Sequence, residues 1–152
     1  MEIERKYLIK SLPANLDSFP RRRIEQGYLC TDPVVRIRKD DEKYELTYKS
    51  SGLMVREEYN LPLTEEAYRH LSAKTDGILL KKDRYLIPCP GYDDLTIELD
   101  VFKAPLSPLI LAEVEFPDES AALSFVPPEW FGEDVTFSVE YHNSMLSQKK
   151  LT

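Results

Sequence analysis

At 152 residues the chain has room for one domain with a substantial core and too little for two. Hydrophobic residues make up 42% and charged residues 31%, an ordinary globular balance that excludes a disordered chain. A formal net charge of -7 excludes a nucleic-acid binder that works by bulk charge, and no apolar run approaches the ~20 residues of a membrane helix.

The N-terminus, EIERKYLI, puts Glu2, Glu4 and Lys6 on one side of an extended chain. Ile3, Tyr7 and Ile9 fall on the other. A helix would make Glu2 and Lys6 an i,i+4 ion pair, but nothing caps a helix here, so the segment reads as a strand. It is charged from residue 2, which argues against a secretory signal and for a cytoplasmic protein. RRRIEQGYL (21–29), VVRIRK (34–39), KYELTYK (43–49) and REEYNL (56–61) follow as strands. Turns at Asp32-Pro33, Asp40-Asp41 and Ser51-Gly52 separate them. Thr64 caps a helix running to about Ala73, with Glu65 and Glu66 suited to its first turn. ILLKKDRYLI (78–87), LTIELDVF (95–102) and LILAEVEF (109–116) return to period two, the first two split by Pro90-Gly91. A second helix starts near Asp118 and carries Ala121, Ala122, Leu123 and Phe125. A third covers Asn143 to Lys150. About eight strands without regular βαβ alternation predict one antiparallel sheet, open at an edge or closed into a barrel. Cys30 and Cys89 sit in no metal-binding spacing and read as two buried thiols, while His70 and His142 are too far apart to suggest zinc.

Keeping one parity of each strand collects charge. Arg36 and Arg38 share a side, as do Lys49, Thr47 and Glu45; Arg56, Glu58 and Asn60; Lys82 and Arg84; Glu98 and Asp100; Glu113 and Glu115. One reading is a sheet with a solvated face. Charges on such a face should be mixed, because like charges on neighbouring strands repel. Here Glu98/Asp100 and Glu113/Glu115 are purely acidic, and Arg36/Arg38 and Lys82/Arg84 purely basic. The other reading is therefore a binding face, with oxygen ligands for Mg²⁺, Mn²⁺ or Ca²⁺ beside basic groups for a multiply charged anion such as a polyphosphate. Pattern alone leaves both standing.

The residues resemble those of a known family. Glu2-x-Glu4-x-Lys6 resembles the ExExK signature of the CYTH superfamily, the triphosphate tunnel metalloenzymes. QGYL (26–29), Arg36-x-Arg38, Lys49, Arg56-x-Glu58, Lys82-x-Arg84-Tyr85, ELDVF (98–102), SPLILAEVEF (107–116) and PPEWFGEDVT (127–136) follow in family order, over nearly the whole chain. The resemblance implies a single α+β domain, residues 1–152: a closed eight-stranded antiparallel β-barrel, the triphosphate tunnel, with helices packed outside. The charged parity would line the bore. It implies metal-dependent hydrolysis of inorganic tripolyphosphate to pyrophosphate and phosphate. The alternatives are thiamine triphosphatase, class IV adenylate cyclase, or a non-catalytic binder of polyphosphate or nucleotide.

Under that resemblance Lys6, Arg36, Arg38, Lys49, Arg56, Lys82 and Arg84 would grip phosphate oxygens. Glu2, Glu4, Glu98, Asp100, Glu113 and Glu115 would hold one or two Mg²⁺ or Mn²⁺. Catalytic roles would fall to Glu4 and Lys82, with Glu58, Glu98 and Glu115 the candidates to take the proton of the attacking water. The partner would be a triphosphate-containing small molecule, with no nucleic acid and no membrane; a homodimer stays open. Two positions depart from the family pattern. Asn60 stands where relatives often carry an acid, and Glu140 where they often carry a base. Tyr28, Tyr44, Tyr48 and Tyr85 read as core or barrel-wall residues, Trp130 and Phe131 as a loop packed on the barrel, His70 as exposed, and Lys149 and Lys150 as a solvated tail.

Overall fold

The computed structural model describes residues 1–148. Its strands are β1 (Glu2–Ile9), β2 (Arg21–Thr31), β3 (Val34–Asp40), β4 (Lys43–Lys49), β5 (Val55–Arg56), β6 (Glu58–Pro62), β7 (Asp76–Pro88), β8 (Thr96–Phe102), β9 (Ile110–Glu115) and β10 (Phe131–Asp134). Helices α1 (Glu65–Ser72), α2 (Glu119–Ser124) and α3 (Asn143–Leu146) complete it. Thr64 caps α1 by accepting from the Ala67 amide at 3.0 Å, and Asp118 caps α2 from the Ala121 amide at 2.7 Å. Lys149, Lys150 and the end expected for the third helix lie outside the described residues.

All ladders are antiparallel, in the order β10-β1-β9-β8-β7-β2-β3-β4-β6. β5 and β6, one residue apart, act as one interrupted stave. β6 pairs with β4, and β5 returns to β1 through Glu2↔Arg56 and Ile3↔Val55. That contact, with the Glu4 amide donating to the Met54 carbonyl at 3.1 Å, brings the sheet round to a nearly closed barrel of the eight expected staves. β10 is an additional strand. It pairs with the later half of β1, through Tyr7↔Asp134 and Ile9↔Phe131, where β5 no longer reaches. The PPEWFG segment read as a loop thus ends in a short strand, because the free edge of β1 offers unpaired backbone groups.

The apolar parity faces out and is covered. Ile3, Tyr7, Ile97, Leu99, Val114 and Phe116 pack with Ala122 and Phe125 of the α2 region and with Phe131 of β10. Arg5 ties these pieces together, donating to the Ala122 carbonyl at 2.8 Å and to Asp134 at 2.7 Å. On the far side Tyr68 of α1 stacks on Tyr44 with ring centroids 5.2 Å apart. α1 and α2 lie outside as expected, but α3 closes one end of the bore. Gly77 permits this. A Cβ there would stand 2.0 Å from the Ser147 carbonyl, which instead accepts from the Ile78 amide at 2.8 Å.

The charged parity faces in, and its members are among the most buried residues: Lys6, Arg36, Lys49, Lys82, Arg84, Asp100 and Glu113 are each no more than 6% exposed. That rules out the solvated-face reading. The inner face changes along the bore. Tyr28, Val34, Leu80, Phe102 and Leu111, each a further inward step on its strand, pack with Leu146 and Val135 into an apolar floor. Of the two cysteines, Cys89 is buried as expected; Cys30 is exposed, lying past the register irregularity that separates it from the buried Tyr28 in the β2–β3 ladder. Both are free thiols. No helix of the described residues is long and apolar enough to cross a membrane.

Candidate functional site

Above the floor lies a cavity of about 250 Å³, lined by Glu2, Glu4, Lys6, Arg22, Tyr28, Val34, Arg36, Arg38, Asp40, Glu45, Lys49, Arg56, Glu58, Asn60, Arg84, Glu98, Glu113 and Glu115, and by His142, Asn143 and Ser144 of the C-terminal segment. Seven of these are bases and eight are acids. Only Tyr28 and Val34 bring an apolar body.

Most of the bases are paired. Lys49 Nζ lies 2.8 Å from Glu2 and 3.4 Å from Glu58. Arg56 reaches Glu2 at 3.7 Å and Glu4 at 3.5 Å. Lys6 Nζ is 3.3 Å from Glu113 and donates to the Tyr141 carbonyl at 3.1 Å. Arg84 forks onto Asp100 at 2.7 and 2.9 Å and reaches Glu98 at 2.9 Å. Arg22 bridges Asp40 and Glu98 at 3.4 and 3.6 Å near the mouth.

Two expected site residues sit behind the lining. Lys82 and Asp100 form a 2.8 Å pair whose side chains are both 0% exposed. Lys82 also donates to Asn143 at 3.3 Å and lies over the Phe102 ring. Arg84 and Lys82 outweigh burial and keep the Asp100 carboxyl below the usual carboxylate range. Asp100 therefore holds Arg84 in place, and Lys82 holds Asp100. The reason is depth: both side chains are one layer closer to the apolar floor than Glu98 and Arg84, and they are consumed by each other.

The acids separate into two kinds. Glu2, Glu4, Glu58, Glu98 and Glu113 each lie within 4.0 Å of a base, and Glu115 does not among the described residues. Burial raises the Glu58 carboxyl, but its hydrogen bond with Glu2, the Lys49 charge and the Asn60 amide outweigh that and hold it down at about 2. Glu4 and Glu115 face each other across the β1–β9 ladder, and Glu98 faces Glu113 across β8–β9. Burial and the charge of Glu113 push the Glu4 carboxyl up to about 7. Partial burial, then Glu4 and Glu98, push Glu115 up as well, and it has no cation within ion-pair distance among the described residues. This strip of like charge suits a hard cation with oxygen ligands. Among the described residues no three carboxylate, imidazole or thiolate groups converge tightly enough to enclose a metal by themselves. A metal held here would have to complete its shell with water and phosphate oxygens, as Mg²⁺ commonly does.

Several lining residues were not singled out as functional from the sequence. Arg22 was hidden in the RRR run, since its neighbours point elsewhere. Tyr28 lies between two register irregularities of β2, which break simple parity counting. His142, Asn143 and Ser144 come from an irregular segment with no period to read. Glu140 is exposed and outside the lining, while Asn60 stays in it, accepting from Thr47 at 2.6 Å.

The CYTH domain family model matches residues 1–148. The chain is 42% identical over 150 residues to an inorganic triphosphatase of Nitrosomonas europaea, covering 96% of each chain. It is 34% identical over 157 residues to an inorganic triphosphatase of Acetivibrio thermocellus, covering 95% of this chain and 92% of that one. A crystal structure of an inorganic triphosphatase superposes with a TM-score of 0.73 at 38% identity, covering 99% and 96% of the two chains. A protein of Pyrococcus horikoshii shares the fold alone, at a TM-score of 0.59 and 18% identity, over 99% of this chain and 92% of that one.

Proposed function

The chain belongs to the CYTH domain family, and on that premise we propose that it is an inorganic triphosphatase, hydrolysing tripolyphosphate to pyrophosphate and phosphate inside the barrel. The observation that carries this reading is the inward-facing lining of seven bases and eight acids around so small a cavity. Most of these bases are held by acids of the lining. With a divalent cation and a polyphosphate bound, the carboxylates would hold the cation and the ammonium and guanidinium groups would hold the phosphates.

The lining also favours an inorganic substrate over thiamine triphosphate or ATP. Sites for organic groups are mostly apolar and commonly larger than 300 Å³. Here, among the described residues, Tyr28 and Val34 are the only apolar side chains lining about 250 Å³. With seven bases turned into the cavity and a formal net charge of -7, nothing here favours binding of nucleic acid by bulk charge. An exposed free thiol at Cys30 suits a reducing cytoplasm.

Lys6, Lys49, Arg56 and Arg84, with Arg36 and Arg38, hold the phosphate oxygens and leave little freedom at the scissile bond. Glu4, Glu98 and Glu113 are the residues to hold Mg²⁺ or Mn²⁺, with Glu2 bound back to Lys49. When bound, the ion neutralises phosphate charge and acidifies water. Of the three carboxylates considered as proton acceptor, Glu58 is too weak a base at about 2 and Glu98 is tied to Arg84 and Arg22. Glu115 is raised and unpaired, so its carboxylate takes the proton as water attacks the terminal phosphorus.

Phosphate release from tripolyphosphate, pyrophosphate, ATP and thiamine triphosphate, with Mg²⁺, Mn²⁺ or EDTA, tests this. Tripolyphosphate should be cleaved fastest and EDTA should abolish turnover. Glu4→Gln and Glu115→Gln should each lower kcat by roughly 10²- to 10⁴-fold with the fold retained. Binding of tripolyphosphate without phosphate release would make the protein a binder, and faster turnover of an organic triphosphate would overturn the substrate.

A further inference from the structure

Two lining bases differ from the rest. Arg36 and Arg38 have no carboxylate within 4.0 Å among the described residues, whereas Lys6, Arg22, Lys49, Arg56 and Arg84 each have one or more. Arg36 is 5% exposed and its Nε has no hydrogen-bond partner. Arg38 is held differently from every other base. Gln26, fully buried and directly opposite it in the β2–β3 ladder, accepts from Arg38 Nε at 3.0 Å and from Nη2 at 2.7 Å. The Gln26 amide nitrogen in turn donates to the Tyr28 hydroxyl at 2.9 Å, which fixes which end of the amide faces the arginine.

We propose that Gln26 is a positioning residue for the triphosphatase reaction: it clamps the Arg38 guanidinium without neutralising it, so that Arg38 and Arg36 form the standing positive pole that captures the anionic substrate. The proposal rests on the triphosphatase reading above. A carboxylate at position 26 would make the same two contacts more strongly, and a phosphate would then have to compete with it. A neutral acceptor supplies the geometry and leaves the charge. The staves place this pole well. β3 lies four staves from β9 in the eight-stave order, on the opposite wall from Glu113 and Glu115. Cation and anion ends of the cavity are therefore built into the sheet before any ligand arrives, and the paired bases are recruited afterwards.

Gln26→Glu and Gln26→Met separate this from a purely structural role. The measurements are calorimetric binding of tripolyphosphate without metal, kcat and KM with Mg²⁺, and thermal melting. Gln26→Glu should melt no lower than the wild type, yet its Kd and KM for tripolyphosphate should rise roughly 10- to 100-fold while kcat changes far less. Gln26→Met, which leaves buried guanidinium donors unpaired, should raise both Kd and KM and lower the melting temperature. A residue needed only to fill space predicts the reverse for the glutamate variant, an unchanged Kd. A wild-type Kd in either folded variant, or a loss of kcat at unchanged KM, overturns the proposal. If the wild-type protein binds tripolyphosphate but releases no phosphate, the enzymatic reading falls and the calorimetry still decides the clamp.

Discussion

His142 shows how a single side chain reports on the bore. Its Nε2 lies 2.9 Å from the Thr136 carbonyl, and the ring is buried in the cavity lining. Burial, then the Lys6 charge, push its pKa below the usual 6.5. A group whose folded value is depressed binds its proton less readily in the folded than in the unfolded chain. Its contribution to stability is therefore full above about 6.5 and lost as pH falls through the folded value. In an NMR titration of the metal-free protein, the His142 resonance should move at a midpoint below 6.5, and a midpoint at or above that value would remove the depressed imidazole from this account. Residue identity alone did not disclose such differences. Glu58 and Glu115 are the same side chain on the same face, yet one is held strongly ionised and the other raised. The difference lies in the hydrogen bonds from Glu2 and Asn60 and the close Lys49 charge that hold Glu58 down, whereas burial and the neighbouring acids outweigh Lys49 at Glu115.

At the scale of elements, the eight expected strands, the one at 56–61 split at Glu57 into β5 and β6, and two helices begin and end within a few residues of where alternation and capping place them, because those signals are local. β10 was the exception. It is four residues long, and it is a strand only because β1 leaves an edge uncovered beyond the β5 contact. Its anchor is Phe131, 3% exposed, 4.9 Å from the Tyr7 ring and 4.8 Å from Trp130. Phe131→Ala should destabilise the protein by about 3–5 kcal/mol, the usual range for a buried Phe truncation. Leu123→Ala, on the exposed side of α2 at 73%, should stay within about 0.5 kcal/mol. Denaturant unfolding of both variants checks the pair; similar losses would mean that β10 is not part of the packed core.

At the scale of the whole molecule, a barrel lined with charge is stabilised by what it binds. Tripolyphosphate without metal should raise the melting temperature by roughly 5–10 °C at a hundredfold excess over its Kd, since that saturation contributes about 2.7 kcal/mol in a chain of this size. Arg36→Gln should shrink the shift. Differential scanning fluorimetry reads both, and an unshifted melt would mean that the anion does not enter the folded barrel.

By itself the sequence determined the strands, their parity and so the set of charges that share a face, because period two is a property of the backbone. Through the ordered ExExK, RxR and acidic strands it also carried the family resemblance. Whether that face met water or the inside of a barrel was not in the pattern, since a solvated face and a bore have the same alternation. The tertiary structure decided it by returning Val55 and Arg56 to β1. It also decided depth: the stagger of the staves sends Lys82 and Asp100 behind the lining and leaves Glu98 and Arg84 at its surface. Finally, it decided which base keeps an acid and which does not, because pairing across the bore depends on strands far apart in sequence. That last step is what leaves Arg38 on a neutral Gln26 and the positive pole on β3.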